Sequence, residues 1–477
     1  MDSFFSASAR VAERRFVLSI CVVAALLAGL AAKSARGQSV SFTEQRPFVI
    51  GLIPVVGPGG AVGGVSVDAL GVVARSDLAA DEVLREARRK ALARLDSDVN
   101  AASGMRKISL RRIQAAIDEL RRKKLPLTDE LQNLAGLTRI EYVLVYPEQR
   151  DIVLAGPAEG WMVSEQGHVV GTKSRQAVLQ LDDLIVALRT AKNAATGSGI
   201  TCSIDPTEEG LARFQRLMRS RGLAMNDATV ARLEEAIGPQ QITVTGVSPG
   251  THFAQVLVAA DFLMKRLAMN LEPSPIAEMP SYMEMLQGKS AAPKTAMPRF
   301  WLAPKYEPLL KDEGSLAWQL RGTGVQALTE DGYLSASGEV IDRRGKEEPL
   351  AKKWVETMTA RYDELSAAAP IFGELRGCID LAVVAALLTK EDLPGLAGCD
   401  LSLLLDEKQI AVAEYHAPKT IASQASVVRQ GRGWIVSISG GIDVNSWAVL
   451  EKSEVHPELA TTRKSAMRGD DKRWWWD

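Results

Sequence analysis

The sequence predicts an α+β, mixed α/β fold: two units of short β-hairpins and helices packed on sheets, preceded by a signal peptide. Three observations carry this expectation. Short β-branched runs closed by glycine recur along the chain. Elsewhere apolar residues recur at helical spacing behind Ser, Thr, Asn and Asp caps. One stretch, Gln241 to Met269, contains both signals. It opens as strand at Ile242 and Val244, breaks at Gly246, Pro249 and Gly250, and continues as a helix. In that helix Phe253, Val256, Leu257, Ala260, Leu263, Met264 and Leu267 repeat with helical period, and Ala254, Val258 and Ala259 leave little polar face before Lys265. A helix apolar on most sides has to be covered by other elements, so this one is expected at the centre of the core.

Residues 1–37 read as an export signal. Arg10, Arg14 and Arg15 form a basic region, Phe16 to Ala32 is an apolar run, and Ala35-Arg36-Gly37 sets small residues where signal peptidase reads. Cleavage before Gln38 would release a periplasmic or extracellular protein; the alternative is an N-terminal membrane anchor. No later run is long and apolar enough to span a bilayer. Arg14-Arg15-Phe16 echoes a twin-arginine signal only by its letters. The formal net charge of the whole chain is −1, so no global field draws it toward nucleic acid or anionic lipid.

Residues 38–138 comprise Gly/Val-rich strands, near Phe48–Ile53 and Gly64–Val67, then basic helices. Gly57, Gly59, Gly60, Gly63 and Gly64 fit neither phosphate-loop spacing and read as a turn. Asp81, Ser109 and Thr128 are placed to cap three helices. Between Arg85 and Lys124 lie thirteen basic and five acidic residues without interleaved aromatics. This reads as a solvated face and not as a nucleic-acid surface.

Residues 139–270 form the α/β core unit, reading strand, strand, helix, strand, helix, helix, strand, helix. Asp182 and Asp183 cap the first helix, Asp205-Pro206 opens the second, and Asn226 or Asp227 caps the third, which stops at Gly238-Pro239. Residues 271–298 form a Pro-rich linker. Residues 299–450 form a C-terminal α+β unit, with helices over Pro349–Ala368 and Phe372–Leu388 and closing strands near Ile410, Ser426 and Trp434. Residues 451–477 read as a disordered tail ending in Trp474, Trp475 and Trp476. Three hairpins share one grammar, each a short strand, a polar turn with glycine and a second strand: Val65–Val73, Met162–Val170 and Leu334–Ile341.

Four segments taken together, THFAQVLVAADFLMKRLAMNLEPSP (251–275), RFWLAP (299–304), RYDELSAAAPIFGELRGCIDLAVVAAL (361–387) and ISGGIDVNSW (438–447), resemble a family of uncharacterised secreted proteins, a domain of unknown function found mainly in planctomycete bacteria. The resemblance implies export and brings no activity, ligand or catalytic residue with it.

The sharpest catalytic signal is Gly246-Val247-Ser248-Pro249-Gly250, which matches G-x-S-x-G between a strand and a helix. In a hydrolase elbow the residue after the nucleophile donates its N–H to the oxyanion, and Pro249 has none. Only four histidines exist to serve as base, and His416 is the best placed. A serine hydrolase using Ser248 and His416 is therefore the alternative reading. The simpler one is a turn in which Ser248 or Thr251 caps the helix. His252 at the helix start reads as a hydrogen-bonded or solvent-facing residue, and Asp261 as the partner of Lys265, four residues on. The adjacent carboxylates Asp363-Glu364 and Glu208-Glu209 point apart on a helix and make no glycosidase pair.

Ser439 to Trp447, rich in oxygen ligands, lacks EF-hand spacing and reads as a glycine turn. Arg468-Gly469-Asp470 is an adhesion tripeptide by letters only. Cys202, Cys378 and Cys399 show no metal-binding spacing; either Cys378 pairs with Cys399 or all three are buried thiols. No cofactor or metal is expected. Trp474, Trp475 and Trp476 are the best candidate contact for a partner protein or a membrane interface. The leading functional expectation is a non-enzymatic binding or structural protein of the cell envelope or extracytoplasmic space.

Overall fold

The structure is a computed structural model that describes residues 48–49, 62, 65–75, 98–196, 199–220, 226–287, 297–329, 332–334, 340–342, 349–430, 433–467 and 473–477. All of them lie in one compact unit, Pro47–Asp477. The export signal, the helix expected after Asp81, the Gly57–Gly64 turn and the Arg468-Gly469-Asp470 tripeptide lie outside the described residues.

The fold is α+β. Two large sheets carry it, and both join strands distant in the chain. The eight-stranded sheet runs in the order Gly324–Thr329, Arg299–Lys305, Ser439–Val444, Ile200–Pro206, Gln240–Thr245, Thr420–Ile421, Val72–Arg75, Val65–Val67. The seven-stranded sheet runs Ser453–Val455, Leu309–Lys311, Ala317–Gln319, Tyr142–Tyr146, Asp151–Ala158, Ser103–Ser109, Trp475–Trp476. Most pairings are antiparallel; Arg299–Lys305 runs parallel to Ser439–Val444, and Leu309–Lys311 parallel to Ser453–Val455. Strands from 139–270 and from 299–450 thus share the same sheets.

The core holds three long helices. The central one, His252–Ala268, is capped by Thr251, whose side chain accepts from the Ala254 N–H. Phe253, Val256, Leu257, Ala260 and Met264 are fully buried, as its all-round apolar pattern requires. Pro370–Lys390 starts with proline in its first turn, where the missing N–H is harmless. Its residues from Ile371 to Leu388 are all buried. Leu181–Thr196 packs beside both.

The glycine-closed hairpins form as their sequences dictate. Val65–Val67 pairs with Val72–Arg75, and Trp161–Val163 with Val169–Gly171, both antiparallel. Gly71 and Gly167 adopt φ of +86° in the turns, which favours glycine there. The third hairpin pairs Gly332–Leu334 with Val340–Asp342.

Several local expectations are corrected. Pro206 ends the strand Ile200–Pro206, facing Gln240, and the next helix is capped by Thr207, not opened by the proline. The helix expected over Pro349–Ala368 is two, Pro349–Ala360 and Tyr362–Ala368, broken at Arg361. Ser439–Val444 is no turn: it is an internal strand, hydrogen-bonded to Arg299–Lys305 on one side and Ile200–Pro206 on the other. Its glycines are needed for close approach and not for a turn. A Cβ on Gly440 would stand 1.7 Å from the Phe300 carbonyl oxygen, and one on Gly441 2.1 Å from that of Cys202.

The Trp-ended segment is packed as well. Trp475–Trp476 adds a strand beside Lys107 and Ile108, and Trp475 is buried. Arginines supply what its charged sequence concealed. Arg106 stacks on Trp475 at 4.8 Å, and Arg112 lies over Trp476 at 5.6 Å.

Candidate functional site

Ser248 and His416 lie on neighbouring segments, and their side chains are not hydrogen-bonded to each other. Ser248 is exposed in the turn before the central helix. Its carbonyl accepts from the Thr251 N–H at 3.2 Å and the Thr251 hydroxyl at 2.7 Å. The cap is therefore Thr251. The segment of His416 does lie alongside, since Tyr415 N donates to Gly250 O at 2.8 Å. Among the described residues no hydrogen bond joins the two side chains; the His416 carbonyl takes its bond from Gln255 Nε2 at 2.8 Å.

Asp261 is a structural ion-pair partner. Lys265 Nζ reaches Asp261 Oδ2 at 2.8 Å and also donates to the carbonyls of Ile204, at 3.1 Å, and Gly440, at 3.2 Å. This pins the central helix to the eight-stranded sheet. Burial pushes the Asp261 carboxyl up to about 6, against the pull of Lys265. Asp363 pairs with Arg376 and Glu364 with Arg361. Cys202, Cys378 and Cys399 are free, buried thiols.

His252 is buried, not solvent-facing. Its Nδ1 bonds Asp183 Oδ2 at 2.9 Å, across from helix Leu181–Thr196. Burial disfavours the imidazolium, but the charge and hydrogen bond of Asp183 overcome this and lift His252 to about 9.

A second histidine–carboxylate pair stands next to it. His168, 5% exposed, bonds Glu374 Oε1 through Nδ1 at 2.8 Å. Burial would raise the Glu374 carboxyl; His168, with His252 beyond, outweighs burial and holds it below its ordinary value. The hairpin fixes His168: its N–H donates to Ser164 Oγ at 3.1 Å and its carbonyl accepts from Ser164 N at 2.7 Å. Gly373 and Gly377 let the long helix approach closely, since Cβ atoms there would meet Ala177 at 3.0 Å and Leu179 at 2.6 Å. That approach brings Glu374 to His168. Asp183, His252, Glu374 and Cys378 line a small cavity of about 10 Å³.

His168 also lines a larger cleft of about 410 Å³. Phe262, Leu263 and Leu267 of the central helix form one wall, and Ala368, Pro370 and Ile371 another. Arg75, Arg266 and Glu272 form its polar side. Arg75 meets Glu272 at 2.8 Å and Arg266 meets it at 3.0 Å. Nδ1 is taken by Glu374, and the second ring nitrogen of His168 makes no hydrogen bond to the described residues. Sequence reasoning missed this site because Glu374 lies 206 positions from His168. The one signal was the hairpin, which read as a turn and not as a mount for a histidine.

A family model described as a protein of unknown function (DUF1598) matches residues 202–282. The match spans the central helix and the arm after it, and so supplies the cleft's Phe262, Leu263, Arg266 and Glu272 but neither His168 nor Glu374. No curated protein and no solved structure matches the chain.

Proposed function

We propose that this chain is an exported, non-enzymatic binding protein of the extracytoplasmic space that holds a small amphipathic ligand in the cleft beside His168. One observation carries the reading: a concave site of about 410 Å³ combines an apolar wall with a nearly buried histidine whose second nitrogen is unpartnered. That volume lies within the roughly 300–1,000 Å³ of small-molecule sites, which typically set a few polar groups in an apolar lining. The basic and apolar residues ahead of Gln38 support export.

An uncharged environment-sensitive dye, Nile red, tests the binding role. Its fluorescence should rise and shift to the blue with the mature chain. Leu263→Glu should abolish the signal, and Leu211→Glu, on the exposed face of another helix, should preserve it. Equal signals from both variants would remove the cleft from consideration. Secreted material should begin near Gln38; full-length cytoplasmic protein would refute export.

A further inference from the structure

We infer that the cleft selects an uncharged ligand bearing a hydroxyl group, seated against Nε2 of His168 with its apolar body on Phe262, Leu263 and Ile371. The inference rests on the binding role above and names the ligand class. Three observations converge on it.

The first is the unmet nitrogen. His168 is 5% exposed, and Glu374 Oε1 occupies its Nδ1 at 2.8 Å. Its other ring nitrogen is hydrogen-bonded to none of the described residues and is open to a polar group in the cleft that His168 lines. Glu374 holds the ring through Nδ1 and His168 lines the cleft, so Nε2 is the nitrogen left for a ligand, as in histidines that bind through the other nitrogen.

The second is charge. The two guanidinium groups of the lining, Arg75 and Arg266, both converge on Glu272. Nη1 and Nη2 of Arg266 also donate to Gln424 Oε1 at 2.8 Å and to Leu271 O at 2.9 Å. Glu165, exposed at the rim, offsets the second positive charge, and Glu374 stands behind His168. Among the described lining residues two arginines are thus balanced by two glutamates, which leaves no net charge to reward a carboxylate or phosphate, and Glu165 is open to solvent, where an ammonium gains little.

The third is the donor and acceptor inventory. A hydroxyl donates to the bare nitrogen of a neutral imidazole and accepts from the N–H of a protonated one. It is thus matched to His168 in either state. A carboxylate can only accept and an ammonium can only donate.

The test uses the mature chain and four matched probes competing with bound Nile red: 4-phenyl-1-butanol, its methyl ether, 4-phenylbutyrate and 4-phenylbutylamine. The alcohol should compete most strongly, about fivefold to tenfold better than the ether, the range one neutral hydrogen bond gives. His168→Phe should bring the alcohol down to the ether's level, and His168→Gln, which keeps a donor and an acceptor, should retain part of the preference. If the butyrate or the amine competes best, or all four compete alike, the ligand class is wrong while the cleft stands. If Nile red itself is insensitive to Leu263→Glu, the binding role fails and this inference fails with it. The wild-type series alone decides the class should either His168 variant not fold.

Discussion

Arg106 is a fully buried charge, and its removal gives a prediction with a defined size. The guanidinium is fully buried, and all five of its N–H groups are used. Nε donates to Asp477 Oδ1 at 2.8 Å and Nη2 to Asp477 Oδ2 at 3.0 Å. Nη1 serves the carbonyls of Val99, at 2.9 Å, and Ala135, at 2.8 Å, and Nη2 that of Ala101 at 2.8 Å. Arg106→Leu would leave those carbonyls without their donor and release Asp477 and Trp475 from the β-edge. Breaking a buried pair by removing one partner costs about 3–5 kcal/mol, a large share of the roughly 5–15 kcal/mol that a folded domain has.

Asp477→Ala should be milder, about 1–3 kcal/mol, because the Asp477 side chain is 41% exposed and water can meet the two freed N–H groups. Urea unfolding followed by tryptophan fluorescence measures both variants. The double variant should lose less than the two losses added, since both remove the same bonds. Arg106→Leu unfolding within about 0.5 kcal/mol of wild type, the ordinary range for an uncoupled surface change, would refute the account.

Three other outcomes are expected. His252 is lifted to about 9 by Asp183 against the opposing effect of burial, with Glu374 and Asp182 also acting on it and the Tyr415 ring beside it. A histidine whose folded value exceeds the ordinary ~6.5 contributes stability that is complete below that pH and is lost as pH rises through about 9. Asp182, pushed by burial to about 7, holds its proton more tightly when folded and acts in the same direction at lower pH. Thermal midpoints should fall toward alkaline pH, and His252→Gln should flatten the fall between about 6.5 and 9; parallel curves would contradict this. Gly440→Ala, with its Cβ set 1.7 Å from Phe300 O, should abolish soluble folded protein, and Gly104→Ala, with nothing within 4 Å, should leave the melting curve unchanged. A fluorophosphonate should not label Ser248; labelling that Ser248→Ala removes would restore the hydrolase reading.

The local elements were legible where local physics decides them. Thr128, Ser109 and Asn226 cap the helices expected of them. The hairpins close at Gly71 and Gly167, and Asp261 meets Lys265 one helical turn on. Each of these depends on residues within about five positions, which a sequence displays directly. The central helix was legible for a related reason, since a segment apolar all round has no stable place except inside.

The sequence by itself determined the capped helices, the glycine hairpins and the apolar central helix, because caps, turns and apolar period act at short range. Only the tertiary structure decided that Ser439–Val444 is an internal strand, that Trp475 is enclosed by Arg106, and that His168 meets Glu374. Glycine at 440 serves a close approach to Phe300 as readily as it would serve a turn, and the letter is the same in both cases. The site was hidden for the same physical reason: a buried histidine and a buried carboxylate stabilise each other only after a hairpin and a helix from opposite halves of the chain have packed together.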